Sequence, residues 1–510
     1  MNGWQRCAAV VAVVFGLVGG VPASAGTDPS LARTETGLVR GTVDGDAVVF
    51  RGIPYAAPPV GALRWRDPAP AQRWRGVRDA TRPAPACAQH RGELPEESRS
   101  EDCLYLNVTA PAGQDRRPVV VWLHGGGFYM GAGGSYDATR LAARGDVVVV
   151  TVNYRLGVFG FFGHPELKGS GTFGLRDQQA ALGWVRRNIG AFGGDPGNVT
   201  VAGQSAGGIS ACAHLTSPSA AGLFDRAIMQ SGSCDLSWLD NFEYRGERAA
   251  SIFPPVGGVE EQGRRVAADL GCGDPTTALA CLRGLSVDAL MPVQRKFIKP
   301  AYGTPVLPLH PADAVRRGWF HRVPVLAGNT RNEATSSTSI YDGGQAMSER
   351  TYDAVLAATF GDDEAAVRAE YPRSDYDSAA LAWSAIVTDR KWACSQYATS
   401  RKLARHTRVF QYEYADPQAP PLSPLPPTMP MGAQHASDLW SLFDLGGMAP
   451  PFTAGQQRLS DRIIEDWTTF AETGRIPGWP EFDTGYTRSL APGDIRPVDL
   501  AAEHHCGFWN

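Results

Sequence analysis

One pentapeptide constrains this chain more than any other feature: residues 203–207 are Gly-Gln-Ser-Ala-Gly. The β-branched residues before it, within 199–201, favour a strand, and its small residues favour a sharp turn into a helix. Such a turn holds a serine hydroxyl above the edge of a sheet, in a strained conformation. Side chains in place of Gly203 and Gly207 would collide with the crossing strand and helix. The pattern predicts Ser205 as a nucleophile, although glycine-rich turns also follow strands in nucleotide-binding folds.

A second glycine-rich segment follows an earlier predicted strand. The apolar run Pro118–Leu123 leads into His124 and then into the triplet Gly125–Gly127, with Phe128 after it. Attack of a serine on an ester places negative charge on the carbonyl oxygen, and preorganised backbone N–H groups stabilise that charge. Consecutive glycines let the backbone approach this oxygen closely, and the N–H of Ala206 would complete the hole. The alternative is a flexible glycine loop without a catalytic role.

The acid and the base are expected after two further strands, because triads on such a turn run serine, acid, histidine along the chain. The apolar run Arg322–Gly328 ends in a turn that carries Glu333, the acid candidate. The last predicted strand, Arg408–Tyr414, enters a proline-rich loop, and His435 follows as the base candidate. Asp438 is a rival acid, although a structural or supporting role is the more natural reading.

Ten histidines make the choice of base a real one, but only His435 follows a predicted strand end after the acid. The others precede the acid, lie at strand entries or lie in the C-terminal tail: His90, His124, His164, His214, His310, His321, His406, His504 and His505. The adjacent pair in the tail has no third ligand at metal-site spacing. The sequence therefore predicts no metal site.

Four segments match long signature patterns, and the last of them contains the pentapeptide above: Phe50–Ala56 with Pro58–Gly61, Glu101–Val108, Asn153–Arg155 and Gly203–Gly208. Through them the chain resembles the type-B carboxylesterases, the carboxylesterase/cholinesterase family of α/β-hydrolases. The resemblance covers nearly the whole chain after its N-terminal segment. It implies an α/β-hydrolase fold with a large central, mostly parallel sheet flanked by helices, an N-terminal extension, and cap or gorge insertions.

The resemblance also implies a serine carboxylesterase that forms an acyl-enzyme and needs no metal or organic cofactor. Its nucleophile, acid and base would be Ser205, Glu333 and His435, and its oxyanion hole the N–H groups of Gly126, Gly127 and Ala206. A triacylglycerol lipase on the same scaffold is the alternative. A non-catalytic, cholinesterase-like adhesion protein is disfavoured, because all three triad residues are present.

The departures from the family concern the substrate. Cholinesterases hold a quaternary ammonium on an aromatic ring inside the loop of the first disulfide, but residues 88–102 contain no aromatic residue. Gln204 also replaces the Glu that cholinesterases carry before the nucleophile. Both changes argue against choline esters. Trp238 falls where the family places an acyl-pocket aromatic, with a plain core tryptophan as the alternative, and Phe128 and Tyr129 are expected to line the same pocket.

The cysteines favour an oxidising compartment. Eight remain of the nine once Cys7 is removed with the N-terminal segment. The resemblance implies three disulfides, Cys87–Cys103, Cys272–Cys281 and Cys394–Cys506. Cys212 and Cys234 are left as a fourth disulfide or as two buried thiols. The resemblance further implies two structural ion pairs, Arg64–Glu101 and Arg155–Asp177.

Residues 1–25 are predicted to be a secretory signal peptide, with Arg6 before an apolar run and Ala23-Ser24-Ala25 as the cleavage site. Its removal would change the formal net charge from −4 to −5, and no basic stripe suggests nucleic-acid binding. No later run is apolar enough for a membrane anchor. We therefore expect a secreted enzyme with one catalytic domain at 26–510 that acts on small ester molecules. Its oligomeric state is not readable from the sequence.

Overall fold

An eleven-stranded mixed sheet organises the residues that the computed structural model describes, which are 28–92, 94, 96–113, 116–422 and 426–509, together with residue 1. The predicted signal peptide lies outside this described part, apart from Met1. The strands in chain order are β1 (Leu31–Arg33), β2 (Leu38–Arg40), β3 (Thr42–Asp44), β4 (Ala47–Pro54), β5 (Val77–Asp79), β6 (Tyr105–Pro111), β7 (Arg117–Leu123), β8 (Tyr136–Asp137), β9 (Val148–Val152), β10 (Gly194–Gln204), β11 (Arg226–Gln230), β12 (Ser237–Trp238), β13 (Ala250–Ser251), β14 (Val325–Thr330), β15 (Val409–Tyr414), β16 (Asp444–Leu445), β17 (Thr487–Ala491) and β18 (Asp494–Val498).

The order in the main sheet is β18-β17-β15-β14-β11-β10-β7-β9-β6-β4-β3. Its central strands, from β9 to β17 in that order, run parallel, whereas β18 at one edge and β6, β4 and β3 at the other are antiparallel. This arrangement confirms the predicted mostly parallel sheet. Because β7, β10, β14 and β15 are all parallel, their carboxyl ends meet at one edge, where open sheets of this kind bind ligands.

Helices cover both faces of the sheet. They are α1 (Thr139–Gly145), α2 (Gly157–Phe161), α3 (Phe173–Asn188), α4 (Ala206–Leu215), α5 (Val256–Asp269), α6 (Ala278–Gly284), α7 (Val287–Leu290), α8 (Pro311–Arg316), α9 (Thr335–Thr338), α10 (Glu349–Phe360), α11 (Glu364–Glu370), α12 (Ala379–Val387), α13 (Cys394–Leu403), α14 (Ala454–Thr473), α15 (Leu500–Glu503) and α16 (Cys506–Trp509). A π-helical turn, Thr388–Ala393, joins α12 to α13.

Strand β7 shows why the central strands are continuous apolar runs. Val119 and Val121 belong to the core cluster shared with α3 and α4, whereas Val120 and Trp122 belong to the cluster shared with α1 and α14. Successive side chains of a strand point to opposite faces, so a strand covered on both faces must be apolar throughout. The apolar runs that predicted the inner strands are therefore a consequence of the two helical layers.

Two strands that the sequence analysis did not predict follow Arg408–Tyr414 in the sheet. β17 pairs in parallel with β15, and β18 continues the sheet antiparallel to β17. The sequence pattern does not predict these strands because they are short and polar, with Thr, Arg and Ser among the five residues of β17. β18 is the edge strand of the sheet and four of its five residues are exposed, so no apolar run is needed there.

Four disulfides cross-link the chain. Three are the pairs implied by the resemblance, Cys87–Cys103, Cys272–Cys281 and Cys394–Cys506. The fourth joins Cys212 in α4 to Cys234 after β11, with their Cα atoms 5.5 Å apart, so the alternative of two thiols does not hold here. The ion pairs Arg64–Glu101 and Arg155–Asp177 are both present and buried. Within the described part of the chain, no helix is both long and apolar enough to cross a membrane.

Candidate active site

Ser205 stands on a strained turn between β10 and α4. Its backbone has φ +55° and ψ −120°, which an L-residue adopts only when its surroundings impose it. Two hydrogen bonds impose it here: the Ser205 N–H donates to the Gln230 carbonyl at 2.8 Å, and the Ile209 N–H donates to the Ser205 carbonyl at 2.8 Å. The strand and the helix together therefore fix the position of the serine above the sheet edge.

The two glycines that flank the serine are required by close backbone contacts. A Cβ at Gly207 would lie 1.9 Å from the Leu123 carbonyl oxygen, and one at Gly203 would lie 2.4 Å from the Gly207 carbonyl carbon. No side chain can be accommodated at such distances without moving backbone. The collision expected from the sequence is thus present, with β7 and α4 as the crossing elements.

Gly126, Gly127 and Ala206 line the same cavity as the serine. Gly126 and Gly127 lie in the loop after β7 with φ +100° and +57°, and Ala206 is the first residue of α4. None of their N–H groups donates a hydrogen bond to another described residue. Backbone donors without a partner, beside a cavity, are suited to meet an anionic oxygen. This is the group of donors predicted from the sequence.

His124 supports that loop from below. Burial lowers its pKa to about 4, so the ring is neutral at physiological pH. The ring stacks on Tyr154 with centroids 4.3 Å apart, and the Tyr154 hydroxyl donates to the His124 carbonyl at 2.7 Å. His124 therefore has a structural role beneath the glycine triplet.

Glu333 and His435 come from the loops after β14 and β15 and meet at the sheet edge. His435 Nδ1 lies 2.5 Å from Glu333 Oε2, while Glu333 Oε1 accepts the Thr330 N–H at 2.9 Å. The Glu333 side chain is fully buried, whereas 22% of the His435 side chain is exposed to the cavity. The contact assigns the ring proton to Nδ1 and leaves Nε2 as an acceptor.

The two loops are also joined through their backbones. The Asn332 N–H donates to the Ala433 carbonyl at 2.9 Å, and the Ala433 N–H donates to Asn332 Oδ1 at 3.1 Å. The His435 N–H donates to the Glu333 carbonyl at 3.3 Å. The acid and the base are therefore held together by main chain as well as by their side chains, although 102 residues separate them.

Two polar neighbours complete this part of the site. Gln204 Nε2 lies 3.2 Å from His435 Nε2, so its amide can donate to the ring nitrogen that is free to accept. Asp438, the rival acid, accepts hydrogen bonds from Gln230 Nε2 at 2.8 Å and from the Tyr412 hydroxyl at 3.2 Å. Burial raises the pKa of Asp438 to about 6, despite the hydrogen bond from Gln230.

A cavity of about 340 Å³ gathers these groups. Its wall contains every catalytic, oxyanion and pocket residue predicted from the sequence: Ser205, Glu333, His435, Gly126, Gly127, Ala206, Phe128, Tyr129 and Trp238. Among the described residues, no group of three or more His, Cys, Asp or Glu side chains is arranged to hold a metal ion.

The sequence analysis missed a second group of side chains in the same wall. The π-helical turn presents Lys391 and Trp392, and both reach Glu243: Lys391 Nζ forms a buried ion pair with it, and the Trp392 indole N–H donates to it at 3.1 Å. The Trp392 ring lies 4.6 Å from the His435 ring. Lys299 also lines the cavity. No local pattern marks these residues, because they come from three distant parts of the chain. A π-turn inside a helix is frequently found at a functional site.

The π-helical turn is anchored from behind by the C-terminal segment. His504 Nδ1 lies 2.5 Å from Asp389 Oδ1 of the turn, and His504 Nε2 lies 2.5 Å from Glu413 Oε1 of β15. Burial alone would lower the pKa of His504, but the two carboxylates outweigh it and raise the pKa to about 10. The histidine in the tail is therefore a buried cation between two carboxylates.

Comparisons with known proteins show which proteins this chain is similar to. The model of the carboxylesterase family matches residues 28–509. The chain is 36% identical over 482 residues to the para-nitrobenzyl esterase of Bacillus subtilis (strain 168), covering 89% of this chain and 92% of that protein. It is 34% identical to the cocaine esterase of Oryctolagus cuniculus, with 89% and 90% covered. A solved structure of a PNB esterase superposes with a TM-score of 0.76 at 32% identity, covering 94% of this chain and 99% of that one.

Proposed function

The chain belongs to the carboxylesterase family and is a carboxylic ester hydrolase, and from that premise we propose that it hydrolyses esters through Ser205, His435 and Glu333. The observation that carries the proposal is the Glu333–His435 contact of 2.5 Å in a cavity that also contains Ser205 and three unpartnered N–H groups. This combination matches the roles of a nucleophile, a base, an orienting acid and an oxyanion hole.

The first half of the reaction forms an acyl-enzyme. His435 Nε2 takes the proton of the Ser205 hydroxyl while its oxygen attacks the ester carbonyl. The carbonyl oxygen becomes negative and accepts hydrogen bonds from the N–H groups of Gly126, Gly127 and Ala206. The protonated imidazole is stabilised by Glu333 and returns its proton to the departing alcohol.

The second half of the reaction hydrolyses the acyl-enzyme. Water then enters, His435 takes its proton, and the same steps release the acid.

Gln204 favours the competent state of the base. Its amide N–H lies 3.2 Å from His435 Nε2, so it supports the tautomer in which Nε2 accepts. A glutamate at this position has no hydrogen to donate when ionised. In the reacting complex the Ser205 hydroxyl replaces the Gln204 amide as the donor to His435 Nε2, since catalytic hydrogen bonds often tighten only when substrate is bound.

The pocket suits esters with short acyl groups. Phe128 is almost fully buried, and it lines the cavity together with Tyr129 and Trp238. Aromatic walls in a cavity of about 340 Å³ limit the length of chain that fits. We expect kcat/KM to fall in a graded way from acetyl to palmitoyl esters, because each methylene changes binding by about 1–3 kcal/mol. A maximum at long chains, rising above the solubility limit of the ester, would favour the lipase alternative.

The chain is proposed to be exported as a single catalytic domain at 26–510 after removal of residues 1–25. Four disulfides within the described part support an oxidising compartment. The N-terminal sequence of protein recovered from the culture medium tests this directly. Accumulation inside the cell with residues 1–25 intact would contradict it.

The catalytic assignment is tested by Ser205→Ala. We expect a loss of kcat of several orders of magnitude with an unchanged melting temperature, because triad residues act as a unit. Ser217→Ala is the matched control, since this buried hydroxyl bonds Gln179 away from the cavity. More than about 1% residual activity in Ser205→Ala would refute the assignment.

A further inference from the structure

Two lysine ammonium groups lie over the indole ring of Trp238 inside the catalytic cavity. Lys299 Nζ is 4.5 Å and Lys391 Nζ is 4.6 Å from the ring centroid. Both lysines and the tryptophan line the cavity that holds Ser205. A cation over an aromatic face is attracted by the negative face of the ring. Two cations on one ring call for a specific explanation.

The two lysines differ in how their charges are compensated. Lys391 is paired with Glu243, and only 5% of its side chain is exposed. Lys299 has no ion pair or hydrogen bond through its side chain to any described residue. The carboxylate that interacts electrostatically with Lys299 is that of Glu247. This carboxylate already accepts the Glu243 N–H at 3.0 Å. Lys299 therefore holds a cation in the pocket wall without a bonded counter-ion.

A partly buried cation of this kind is costly unless something compensates it. Burial lowers the pKa of Lys299, and a bound anion would raise that pKa again. Arg295, stacked on Tyr129 at 4.2 Å, adds a further positive charge to the same wall. Lys299, Lys391 and Arg295 share this wall with Glu243 and Glu247, and of the three cations only Lys391 forms an ion pair with a described residue, so the wall favours an anionic group in a substrate.

We propose that Lys299 and Trp238 form an anion subsite that binds a free carboxylate on the acyl chain of the ester. The inference rests on the proposed function, because it assigns the substrate of that same site. Trp238 is the residue predicted to wall the acyl side, so the methylenes of the acyl chain lie along its ring while the carboxylate reaches Lys299. The substrate class is therefore the half-esters of dicarboxylic or polycarboxylic acids.

The test compares two esters of equal length. Monomethyl glutarate carries the carboxylate, and methyl 5-oxohexanoate replaces it by a neutral methyl ketone. Hydrolysis of each is followed in a pH-stat at neutral pH with the whole enzyme. We expect kcat/KM to favour the half-ester by about tenfold or more, the range for hydrogen bonds to charged groups. A wild-type ratio of one or less would overturn the proposal without any variant.

Variants then assign the preference to the lysine. Lys299→Met keeps most of the apolar stem and should bring the ratio close to one, and Lys299→Glu should invert it. Lys296→Met is the matched control: this exposed lysine, three residues earlier, does not line the cavity, and the ratio should be unchanged. A preference that survives both Lys299 variants would overturn the subsite.

Three outcomes separate this inference from the proposed function. A preference for 4-acetoxybutanoate over 5-acetoxy-2-pentanone, with none for the half-ester, would put the carboxylate on the alcohol side and overturn the acyl assignment. Hydrolysis of neither the neutral esters nor para-nitrophenyl acetate would overturn the proposed function, and the inference with it. Hydrolysis of the neutral esters without a charge preference would overturn the inference alone.

Discussion

Glu333 should be far less tolerant of neutralisation than Asp438, although both carboxylates are buried near His435. Both oxygens of Glu333 accept N–H groups, from Thr330 and from His435. Glutamine has a single acceptor oxygen, so Glu333→Gln must turn its NH₂ toward one of these donors. If it faces the ring, the histidine takes the tautomer in which Nε2 carries the proton and cannot act as a base.

The magnitude follows from that tautomer change and from the lost charge. We expect kcat to fall by about 10⁴-fold, equivalent to about 5.5 kcal/mol of transition-state stabilisation. In Asp438→Asn, kcat should fall by no more than about tenfold. Its Oδ2 bonds Gln230 and Tyr412, neither of which reacts, and its Oδ1 has no hydrogen bond among the described residues. An asparagine can therefore keep one acceptor in place.

The pH dependence sharpens the comparison. The pKa of Asp438 is raised to about 6, so wild type resembles Asp438→Asn below that pH. Above it, the ionised carboxylate helps to stabilise the imidazolium, so the deficit of Asp438→Asn should appear only as pH rises through about 6. The assay is kcat for para-nitrophenyl acetate from acid to alkaline pH, with melting temperatures as the control. A Glu333→Gln enzyme with more than a tenth of wild-type kcat, or the reverse ranking of the variants, would refute the reasoning.

Four other predictions concern the C-terminal anchor and the substrate. His504→Gln leaves Asp389 and Glu413 without their shared cation, and should lower the free energy of unfolding by about 3–5 kcal/mol in urea titrations; a loss below about 1 kcal/mol would contradict the buried-ion account. The pKa of His504 is raised to about 10 in the folded state, so the stabilisation by its charge is complete below the unfolded pKa of about 6.5 and disappears as pH rises through about 10. The free energies of unfolding of wild type and His504→Gln should therefore converge over that interval. Peptide mapping of unreduced protein should recover Cys394 linked to Cys506, and Cys506→Ser should cost about 4–5 kcal/mol on the chain-entropy model for a separation of 112 residues, whereas a free thiol at either position would contradict the pairing. Acetylcholine should show no higher kcat/KM than its neutral isostere 3,3-dimethylbutyl acetate, and a tenfold preference for choline would overturn the reading of the pocket.

Local patterns in the sequence predicted the strands that carry the proposed catalytic residues. Runs at 118–123, 322–328 and 408–414 predicted strands, and the structure has strands at all three places. The first two runs are apolar because both faces of the sheet are covered, whereas the third also contains Gln411 and Glu413. The parallel order of the central strands brings the proposed triad residues Ser205, Glu333 and His435 to one edge.

What the sequence could not give depends on contacts between distant segments. The pairing of Cys212 with Cys234 requires α4 to lie against β11, and a separation of 22 residues alone permits either outcome. For two lysine ammonium groups to lie over Trp238, the π-helical turn at 388–393 must place Lys391 in the cavity wall. Helix periodicity does not reveal such a turn, since its sequence continues that of the flanking helices.

The most direct measurement of the central claim is the site of covalent labelling by a serine-directed organophosphate. Wild-type enzyme and Ser205→Ala would each be treated with diisopropyl fluorophosphate, followed by intact-mass analysis, peptide mapping and residual activity. The account predicts one diisopropylphosphoryl group on wild type, located on the peptide that contains Ser205, with activity lost in step with labelling, and no adduct on Ser205→Ala. Labelling of a different serine in step with the loss of activity, or full activity in an enzyme labelled at Ser205, would contradict the account.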